Sequence, residues 1–550
     1  MMKRPDPFCT QYSEYLDGTY DCVDRIVLNA YYILGQSPGG FRTFWRKLTG
    51  GDETLDNAHL MKLAGRFSRR IHAWAKEHNI PLIHCERGER KHQVAEPLIP
   101  KDPTFKGIFC VLVGRAPSPV YEIQTSKAGA LNIRRKQPNP WVNQYSFHIM
   151  DPEWGHIIIK LCPHPPFNAQ IILNGHEYVA RQAEKKQIPF DKEGNCFTHV
   201  PEPTALSDIA DTMKAPGFVG RIQALCDRWI YSACLCFALN TDDQEKTNFS
   251  YSYSVYQVEY SRNLLFTRGT ILDRVFESLI DRNRSALSIK TVKTIFGYKH
   301  RPHHRKKKSN RQPIEVVVET PAYNLTVFKV HFGKLTVKLY SKGERVLRVE
   351  AVAHNVTELR CGRVVAKFPT MVQTLTEIVE RFLGVLRSVD VSLLDLERID
   401  AWPRPSQVGA VKVGGVDANS VRIRSVMQAV IALALNPRGF TSGELSETVQ
   451  LIMATSTYHA RQAAYDLKKL RGKELVERIG NSHYYQATPE GLRVMMAFLT
   501  LRNKVIVPLL ASTYNKPDKI KFTPLHDIGV HYQNIQKEMA DIFNILKLAA

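Results

Sequence analysis

One histidine-rich stretch of the chain, HIMDPEWGHIIIKLCPHPPF, has residue types that suit phosphate chemistry. Apolar and polar residues alternate on both sides of the turn DPEWG, which predicts a β-hairpin. In that hairpin His148, His156 and Lys160 share a face opposite the apolar isoleucines. Two imidazoles on one face can hold a divalent metal that assists phosphodiester cleavage. Contact with a phosphate or a base, and a purely structural role, are the two alternatives.

A second stretch, KLYSKGERVLRVE, predicts two strands joined by the tight turn SKGE. Lys338 and Tyr340 would share a face of the first strand, and Arg348 and Glu350 a face of the second. A solvent-facing ion pair between Glu350 and Lys338 or Arg348 is one interpretation of these residues.

The pattern Y-x-K-G followed by R-x-E over residues 338–350 resembles a segment of some plasmid and phage rolling-circle replication initiators. This resemblance implies DNA nicking through a covalent tyrosine intermediate, with Tyr340 as a candidate nucleophile and Glu350 as a candidate metal ligand. Tyr260, in VYQVEYSRNLLF, is a second candidate nucleophile, with simple packing as its alternative. The resemblance also implies a location on a plasmid or other mobile element. No cofactor follows from the sequence with certainty, and Mg²⁺ or Mn²⁺ is the ion such chemistry needs. No P-loop and no G-x-G-x-x-G motif occurs, so the sequence does not support a nucleotide-driven motor or a dinucleotide enzyme.

The charge of the 550-residue chain favours a polyanionic partner. Lys and Arg number 75 against 53 Asp and Glu, a formal net charge of +22. Such a surplus raises affinity for nucleic acid through counterion release. We expect DNA as the partner, RNA as an alternative, and a homodimer as a further option. The absence of a long apolar run and of a signal-peptide core predicts a cytoplasmic protein that does not engage a membrane.

Periodicity and linker composition predict a multidomain α+β protein. The apolar spacing in DCVDRIVLNAYYILG predicts a helix within the first module. The predicted parts are a helical N-terminal module (1–100), an α+β core (101–298), a basic linker (299–313), a second α+β unit (314–400), a linker (401–420), a C-terminal domain (421–512) and a tail (513–550).

Residues 421–510 predict three helices, a strand, a polar turn NSH, a strand and a closing helix, with Thr441 or Ser442 capping the second helix. This order, with G-K-E-L-V-E-R and T-P-E-G, resembles a winged-helix domain of the MarR-like kind. The resemblance implies DNA binding through the third helix and the wing, and protein–protein contact is the alternative. The predicted contact residues are Tyr458, His459, Arg461, Gln462, Tyr465, Lys468, Lys469, Lys473, Arg478 and His483.

The segment KHRPHHRKKKSNRQP holds seven Lys or Arg residues and no acid. Such a segment cannot pack a core, so Arg305, Lys306, Lys307 and Lys308 are predicted phosphate contacts on a solvated linker. The sequence therefore predicts a nucleic-acid-binding protein, with DNA binding by the C-terminal domain as its leading function. A metal-dependent nickase or recombinase-like enzyme and an RNA-binding scaffold are the alternatives, and the sequence does not decide whether the chain is an enzyme.

Overall fold

The computed structural model describes residues 7–125, 131–276, 314–322, 325–332, 334–388, 399–434, 436, 438–506, 534–535, 537–538 and 541. The chain divides into two compact units. One comprises Tyr12–Asp273 and Val317–Val379, here called the sheet unit. The other comprises Met1–Gln11, Arg274–Val316 and Glu380–Ala550, here called the C-terminal unit. The predicted phosphate contacts Arg305 to Lys308 lie outside the described residues, as does most of the predicted tail.

Both helices and strands are abundant, so the α+β class is confirmed. The helices are α1 (Pro7–Gln11), α2 (Pro38–Thr49), α3 (Asn57–Glu77), α4 (Lys91–Ala95), α5 (Gly175–Lys185), α6 (Pro203–Asp211), α7 (Phe218–Trp229), α8 (Thr241–Thr247), α9 (Phe368–Ser388), α10 (Val421–Ala434), α11 (Ser442–Met453), α12 (Ala460–Gly472) and α13 (Pro489–Leu501). The strands are β1 (Leu16–Tyr32), β2 (Leu82–His84), β3 (Gly107–Pro117), β4 (Tyr121–Thr125), β5 (Leu131–Arg135), β6 (Trp141–Asp151), β7 (Gly155–Leu161), β8 (Ala169–Asn174), β9 (Asp191–Lys192), β10 (Phe197–His199), β11 (Tyr251–Phe266), β12 (Ile314–Ala322), β13 (Leu325–Phe332), β14 (Leu335–Lys342), β15 (Val346–Ala353), β16 (Ser406–Val408), β17 (Val411–Val413), β18 (Val476–Arg478) and β19 (Tyr485–Ala487).

One large sheet organises the sheet unit, in the order β12-β13-β14-β15-β11-β1-β8-β7-β6-β3-β2. At its centre β1 and β11 pair antiparallel from Leu16–Phe266 to Tyr32–Tyr251. The predicted hairpin about DPEWG is confirmed, because β6 and β7 pair with His148 opposite Ile158. The edge strand β2 runs parallel to β3. Long-range pairing thus brings the two chemically suggestive hairpins, β6–β7 and β14–β15, into a single sheet.

The predicted helix within residues 21–35 is wrong, because residues 21–32 belong to the 17-residue strand β1 (Leu16–Tyr32). Five consecutive residues of this strand, from Tyr20 to Asp24, are buried, so both faces of the sheet are covered there. A strand that is covered on both faces shows no alternation of apolar and polar residues, and its apolar run also matches a helical period.

The predicted separation into a core at 101–298 and a second unit at 314–400 differs from the structure. Strand β11 pairs with β1 on one side and with β15 on the other, so all three belong to one sheet. The first hundred residues likewise contribute β1 and β2 to that sheet rather than a separate helical module. A strand has two hydrogen-bonding edges, and composition does not reveal which distant segment occupies the second edge.

Helices cover one face of the part of the sheet that contains β6 and β7. Phe67 of α3 packs against Tyr145 and Phe147 of β6, with ring centroids 4.7 and 6.4 Å apart. On β7 the burial alternates strictly, with Ile157 and Ile159 fully buried. Their neighbours His156 and Lys160 are half-buried on the opposite face, as the alternation predicts.

The C-terminal unit has the predicted element order from α10 to α13, with the hairpin β18–β19 between α12 and α13. Thr441 caps α11 through a reciprocal pair of contacts with Glu444, as predicted. The predicted linker 401–420 differs, because it contains the hairpin β16–β17 and buries Trp402 against Phe498 at 5.5 Å. Pro and Gly are common in tight turns of ordered segments as well as in linkers, so their abundance does not distinguish the two.

In the described part of the chain, no single helix is long and apolar enough to span a bilayer. The segments Phe218–Phe237 and Thr241–Thr247 meet the length and composition criteria only as a pair, and they meet at an angle of 104°. The segment 218–237 includes α7 and the helical turns after it, where Cys226 and Cys234 are buried. All ten cysteines are free thiols.

Candidate functional site

A band of polar side chains crosses one face of the large sheet. Residues that face each other across neighbouring strands lie on the same side, so the register identifies this band directly. Its members from β6 to β14 are His148, His156, Lys160, Gln170, Asn29, Arg25, Gln257, Glu259, Ser261, Glu350, Lys338 and Tyr340. Most of them are at least partly exposed, so this face is accessible to a ligand over much of its width.

Tyr340, Glu350 and Lys338 lie together within this band, as the sequence predicts. The Tyr340 hydroxyl donates to Glu350 Oε2 at 2.9 Å, and Lys338 Nζ lies 3.2 Å from the same oxygen. Burial, reinforced by the Glu350 charge, raises the pKa of the Tyr340 phenol well above its ordinary value. The tyrosine is therefore a neutral hydroxyl at pH 7, and Glu350 is placed to accept its proton.

Glu259 supplies a second carboxylate near Glu350. Burial, with the charge of Glu350 as the next contribution, raises the pKa of Glu259. Its carboxylate accepts a hydrogen bond of 2.6 Å from Gln257. The described residues contain no group of three or more His, Cys, Asp or Glu side chains arranged to hold a metal ion. The two glutamates alone give an incomplete ligand set, which a substrate phosphate would have to complete.

Arg348 does not pair with Glu350 but reaches a buried polar centre beside it. Its Nε donates to Asn263 Oδ1 at 2.6 Å, and its NH2 group lies 3.3 Å from His176 Nε2. His176 Nδ1 in turn lies 2.9 Å from Asp24 Oδ1. Arg348, His176 and Asp24, here called the buried triad, are each at most 3% exposed.

Electrostatics fix the charge state of the buried triad. Burial opposes ionisation of Asp24, but Arg348 and His176 together outweigh it and lower the pKa of this carboxyl to about 2. Burial lowers the pKa of His176 to about 4 against the opposing effect of Asp24. A neutral imidazole can carry its proton on Nδ1, 2.9 Å from Asp24 Oδ1, and leave Nε2 to accept from Arg348.

The buried triad is not evident from the sequence. Asp24 lies on β1, His176 on the first turn of α5 and Arg348 on β15, so only the fold brings them together. One signal was present, since Asp21 and Asp24 interrupt the apolar run of β1, and a charged residue in a buried strand requires a partner. Neither partner can be identified from the sequence.

Tyr260, the second candidate nucleophile, is 1% exposed and lies on the opposite side of the sheet from Tyr340. Its hydroxyl donates to Asp21 Oδ2 at 2.6 Å, and Arg262 Nε donates to Asp21 Oδ1 at 2.8 Å. Burial raises the pKa of Tyr260 far above its ordinary value. A scissile phosphate has no access to this hydroxyl, so the alternative of simple packing fits Tyr260 better.

His148 and His156 do meet on one sheet face, with His148 Nδ1 3.0 Å from His156 Nε2. Burial, followed by the charges of His156, Lys91 and Lys160, lowers the pKa of His148 to about 3. Burial likewise lowers the pKa of His156. The described residues place no third metal ligand beside this pair, and two lysines oppose a bound cation. The geometry favours a neutral hydrogen-bonded pair.

Helix α12 presents several of the predicted DNA-contact residues to solvent. Its inner face is formed by the buried residues Ala463, Asp466, Leu467 and Leu470. On the outer side His459, Arg461, Gln462 and Tyr465 are exposed, and Lys468 and Lys469 are half-buried. Gln462 accepts a hydrogen bond of 2.8 Å from the His459 backbone, which leaves its amide hydrogens available.

Tyr458 does not belong to this exposed set, because it is 3% exposed and its hydroxyl donates to Asp466 Oδ2 at 2.9 Å. Burial raises the pKa of Asp466, and Tyr458 and Arg422 oppose that shift. Asp466 is buried, so its carboxylate does not belong to the exposed face of α12.

The remaining predicted contacts of the C-terminal unit have mixed positions. His483 and Arg478 are exposed on the hairpin β18–β19, and the Arg478 guanidinium donates to the carbonyl oxygens of Ser482 and Asn481. Lys473 donates to the Ala401 carbonyl oxygen at 2.7 Å. Arg478 and Lys473 thus hydrogen-bond to backbone carbonyl oxygens of their own unit, while His483 is exposed in the turn between the two strands.

Comparison with protein-family models, with curated proteins and with solved structures found no match to this chain.

Proposed function

We propose that the chain binds duplex DNA through the C-terminal unit, with α12 in the major groove. The observation that carries the proposal is the exposed pair Arg461 and Gln462 at the start of α12. In that groove an arginine side chain can form two hydrogen bonds with a guanine, and a glutamine side chain can form two with an adenine. The buried residues Ala463, Leu467 and Leu470 fix this helix against its unit, so its outer side chains have a defined position.

The order of three helices, a hairpin and a fourth helix supports a winged-helix module of the MarR-like kind. In such a module the hairpin β18–β19 is the wing, and His483 at its tip lies where a phosphate or the minor groove would be contacted. Lys468 and the overall charge of +22 favour the phosphate backbone. A function on a plasmid or other mobile element is part of the same proposal.

The first experiment selects bound sequences from a random duplex pool and then measures their affinity by fluorescence anisotropy over a range of salt concentrations. We expect Arg461→Ala and Gln462→Ala each to weaken binding to the selected site by about 1–3 kcal/mol and to relax one base position. The matched control is Arg493→Ala, since Arg493 is a partly exposed arginine on α13 that pairs with Glu490 at 3.1 Å. Equal affinities for the two α12 variants and the wild type would refute the proposal.

A nicking activity is the second candidate function, and the contact between Tyr340 and Glu350 favours it. In this reaction the Tyr340 oxygen bonds to phosphorus while a backbone phosphorus–oxygen bond breaks. Glu350 accepts the tyrosine proton, and the released deoxyribose oxygen takes a proton from water. A divalent cation such as Mg²⁺ or Mn²⁺ would neutralise the phosphate between Glu259 and Glu350.

The nicking test incubates the full chain with supercoiled plasmid, single-stranded DNA and RNA, with and without Mg²⁺ or Mn²⁺, and resolves the products under denaturing conditions. A covalent adduct that disappears in Tyr340→Phe supports the activity. Tyr256→Phe is the control, because Tyr256 is a 38% exposed tyrosine on β11 outside the Glu350 contact. Retained binding without cleavage or adduct would refute nicking of these substrates, and tighter binding of structured RNA than duplex DNA would favour the RNA-scaffold alternative.

A further inference from the structure

A groove of about 780 Å³ opens on the sheet unit, away from the polar band. One wall is a row of residues on α3, from Asn57 to Ser68, which extends about 16 Å along the helix at 1.5 Å per residue. The other wall comes from β4, the start of β6 and the loop Pro163–Pro165. Ala64 and Gly65 line the groove from α3, and the methyl group of Ala64 and the lack of a side chain at Gly65 leave room for a ligand.

Two large apolar side chains stand exposed in this groove. Trp141 is 54% exposed and Met61 is 61% exposed, and both line the same cavity. An exposed tryptophan in a concave site is uncommon on a surface that contacts only water, because burial of its ring stabilises a protein. The indole therefore offers a flat face for another aromatic ring.

The charge of the groove is positive. Arg115 and Lys136 are exposed and line it, and Arg115 NH2 donates to the Trp141 carbonyl oxygen at 3.0 Å. The acid in the wall, Glu122, is paired with Arg134 at 2.6 Å and so adds little net negative charge. Among the described residues no carboxylate pairs with Arg115. Arg115 and Lys136 therefore give a positive charge to the groove that the Trp141 indole lines.

We infer that this groove binds single-stranded nucleic acid, with one unpaired base stacked on Trp141 and the adjoining phosphates against Arg115 and Lys136. An aromatic platform beside cations is the pattern that recognises unpaired bases, since every base has a π-face and every linkage carries a charge. Paired bases in a duplex are already stacked on their neighbours, so their faces are not available to the indole. The groove would hold a strand separately from the proposed duplex contact on α12.

The test measures binding of a fluorescent oligothymidylate to the full chain by anisotropy. Trp141→Ala should weaken binding by about tenfold or more, since stacking on one aromatic ring commonly contributes at least that much. Trp141→Phe keeps a stacking ring and should recover most of the affinity. Tyr256→Ala removes a partly exposed aromatic residue outside the groove and should bind as the wild type does.

A second variant tests the groove without touching Trp141. Gly65→Leu places a large side chain in the cavity, where a Cβ would meet only the Arg69 guanidinium at 3.3 Å. Leucine has a higher helix propensity than glycine, so α3 should be stabilised while the oligonucleotide is excluded. An affinity loss of about tenfold or more in both Gly65→Leu and Trp141→Ala supports the site, and wild-type affinity in both would overturn it.

Duplex binding separates this inference from the proposed function. Trp141→Ala should bind the selected duplex with unchanged affinity, whereas Arg461→Ala should keep its affinity for oligothymidylate. If the wild type binds no duplex, and Trp141→Ala weakens oligothymidylate binding, the groove site stands and only the proposed duplex function fails. A parallel measurement with oligouridylate distinguishes single-stranded RNA from single-stranded DNA as the ligand. Trp141→Ala should weaken binding of whichever of the two oligonucleotides the wild type binds more tightly. Loss of duplex but not oligothymidylate binding in Trp141→Ala would overturn the inference.

Discussion

Replacing Arg348 by leucine should strongly destabilise the sheet unit. Arg348 is 1% exposed and is the cation that balances Asp24 through neutral His176. Removing one partner of a buried ion pair commonly costs about 3–5 kcal/mol, because the remaining charge stays buried without compensation. Asn263 and the Asn195 carbonyl oxygen would also lose a donor, so we expect a loss of at least about 3 kcal/mol at pH 7.

The loss should depend on pH in a definite direction. In the wild type the pKa of Asp24 is lowered to about 2, so its ionised form stabilises the fold above about pH 4 and that contribution disappears as pH falls towards 2. Without Arg348, burial should raise the Asp24 pKa, and protonation then relieves the buried charge. The difference between variant and wild type should therefore shrink between pH 7 and pH 4.

Urea denaturation and hydrogen exchange of the β11 amides measure this effect, and the exchange data report the sheet unit separately. The matched control is Arg345→Leu, since Arg345 is partly exposed and lies 3.7 Å from an exposed Asp17. An exposed pair contributes about 0–1 kcal/mol. The double variant with Asp24→Asn should recover part of the loss. A loss below about 1 kcal/mol for Arg348→Leu, or one that is the same at pH 7 and pH 4, would refute the reasoning.

Three further predictions concern stability. Burial lowers the pKa of His148 to about 3, so the unfolded chain takes up a proton at a higher pH than the folded chain does. Acidification below about pH 6.5 should therefore lower the free energy of unfolding by up to about 1.4 kcal/mol per pH unit, and urea titrations should show a smaller slope for His148→Phe. Tyr458→Phe leaves Asp466 without the donor at 2.9 Å and should destabilise the C-terminal unit by about 1–3 kcal/mol, seen as a lower urea midpoint, whereas Tyr465→Phe should be neutral. Thr441→Ala removes the cap of α11 and should cost about 1 kcal/mol in the same assay, with Ser456→Ala at an exposed position as the comparison; no difference between them would contradict the capping argument.

Local sequence rules predicted the elements whose partners are close in the chain. The hairpin β6–β7 follows from alternation about a turn, and the helices and hairpin of the C-terminal unit follow from periodicity, caps and turn residues. In the candidate site, Tyr340 and Glu350 were identified because a short turn joins their strands. The exposure of Arg461 and Gln462 likewise follows from the apolar period of α12.

Burial and long-range pairing decided what the sequence could not. Strand β1 was mistaken for a helix, since a run covered on both faces has no period of two. Tyr458 and Tyr465 are both tyrosines near the start of one helix, yet only the first is buried on Asp466.

The sequence by itself determined the charge of +22, the local hairpins and the succession of C-terminal elements, because each depends on residues a few positions apart. Tertiary structure alone placed β1 and β15 on opposite edges of β11 and so assembled Asp24, His176 and Arg348. The physical reason is that hydrogen-bonding edges are chemically alike along every strand. Their pairing is selected by the burial of whole faces, and that selection is made only in the folded chain.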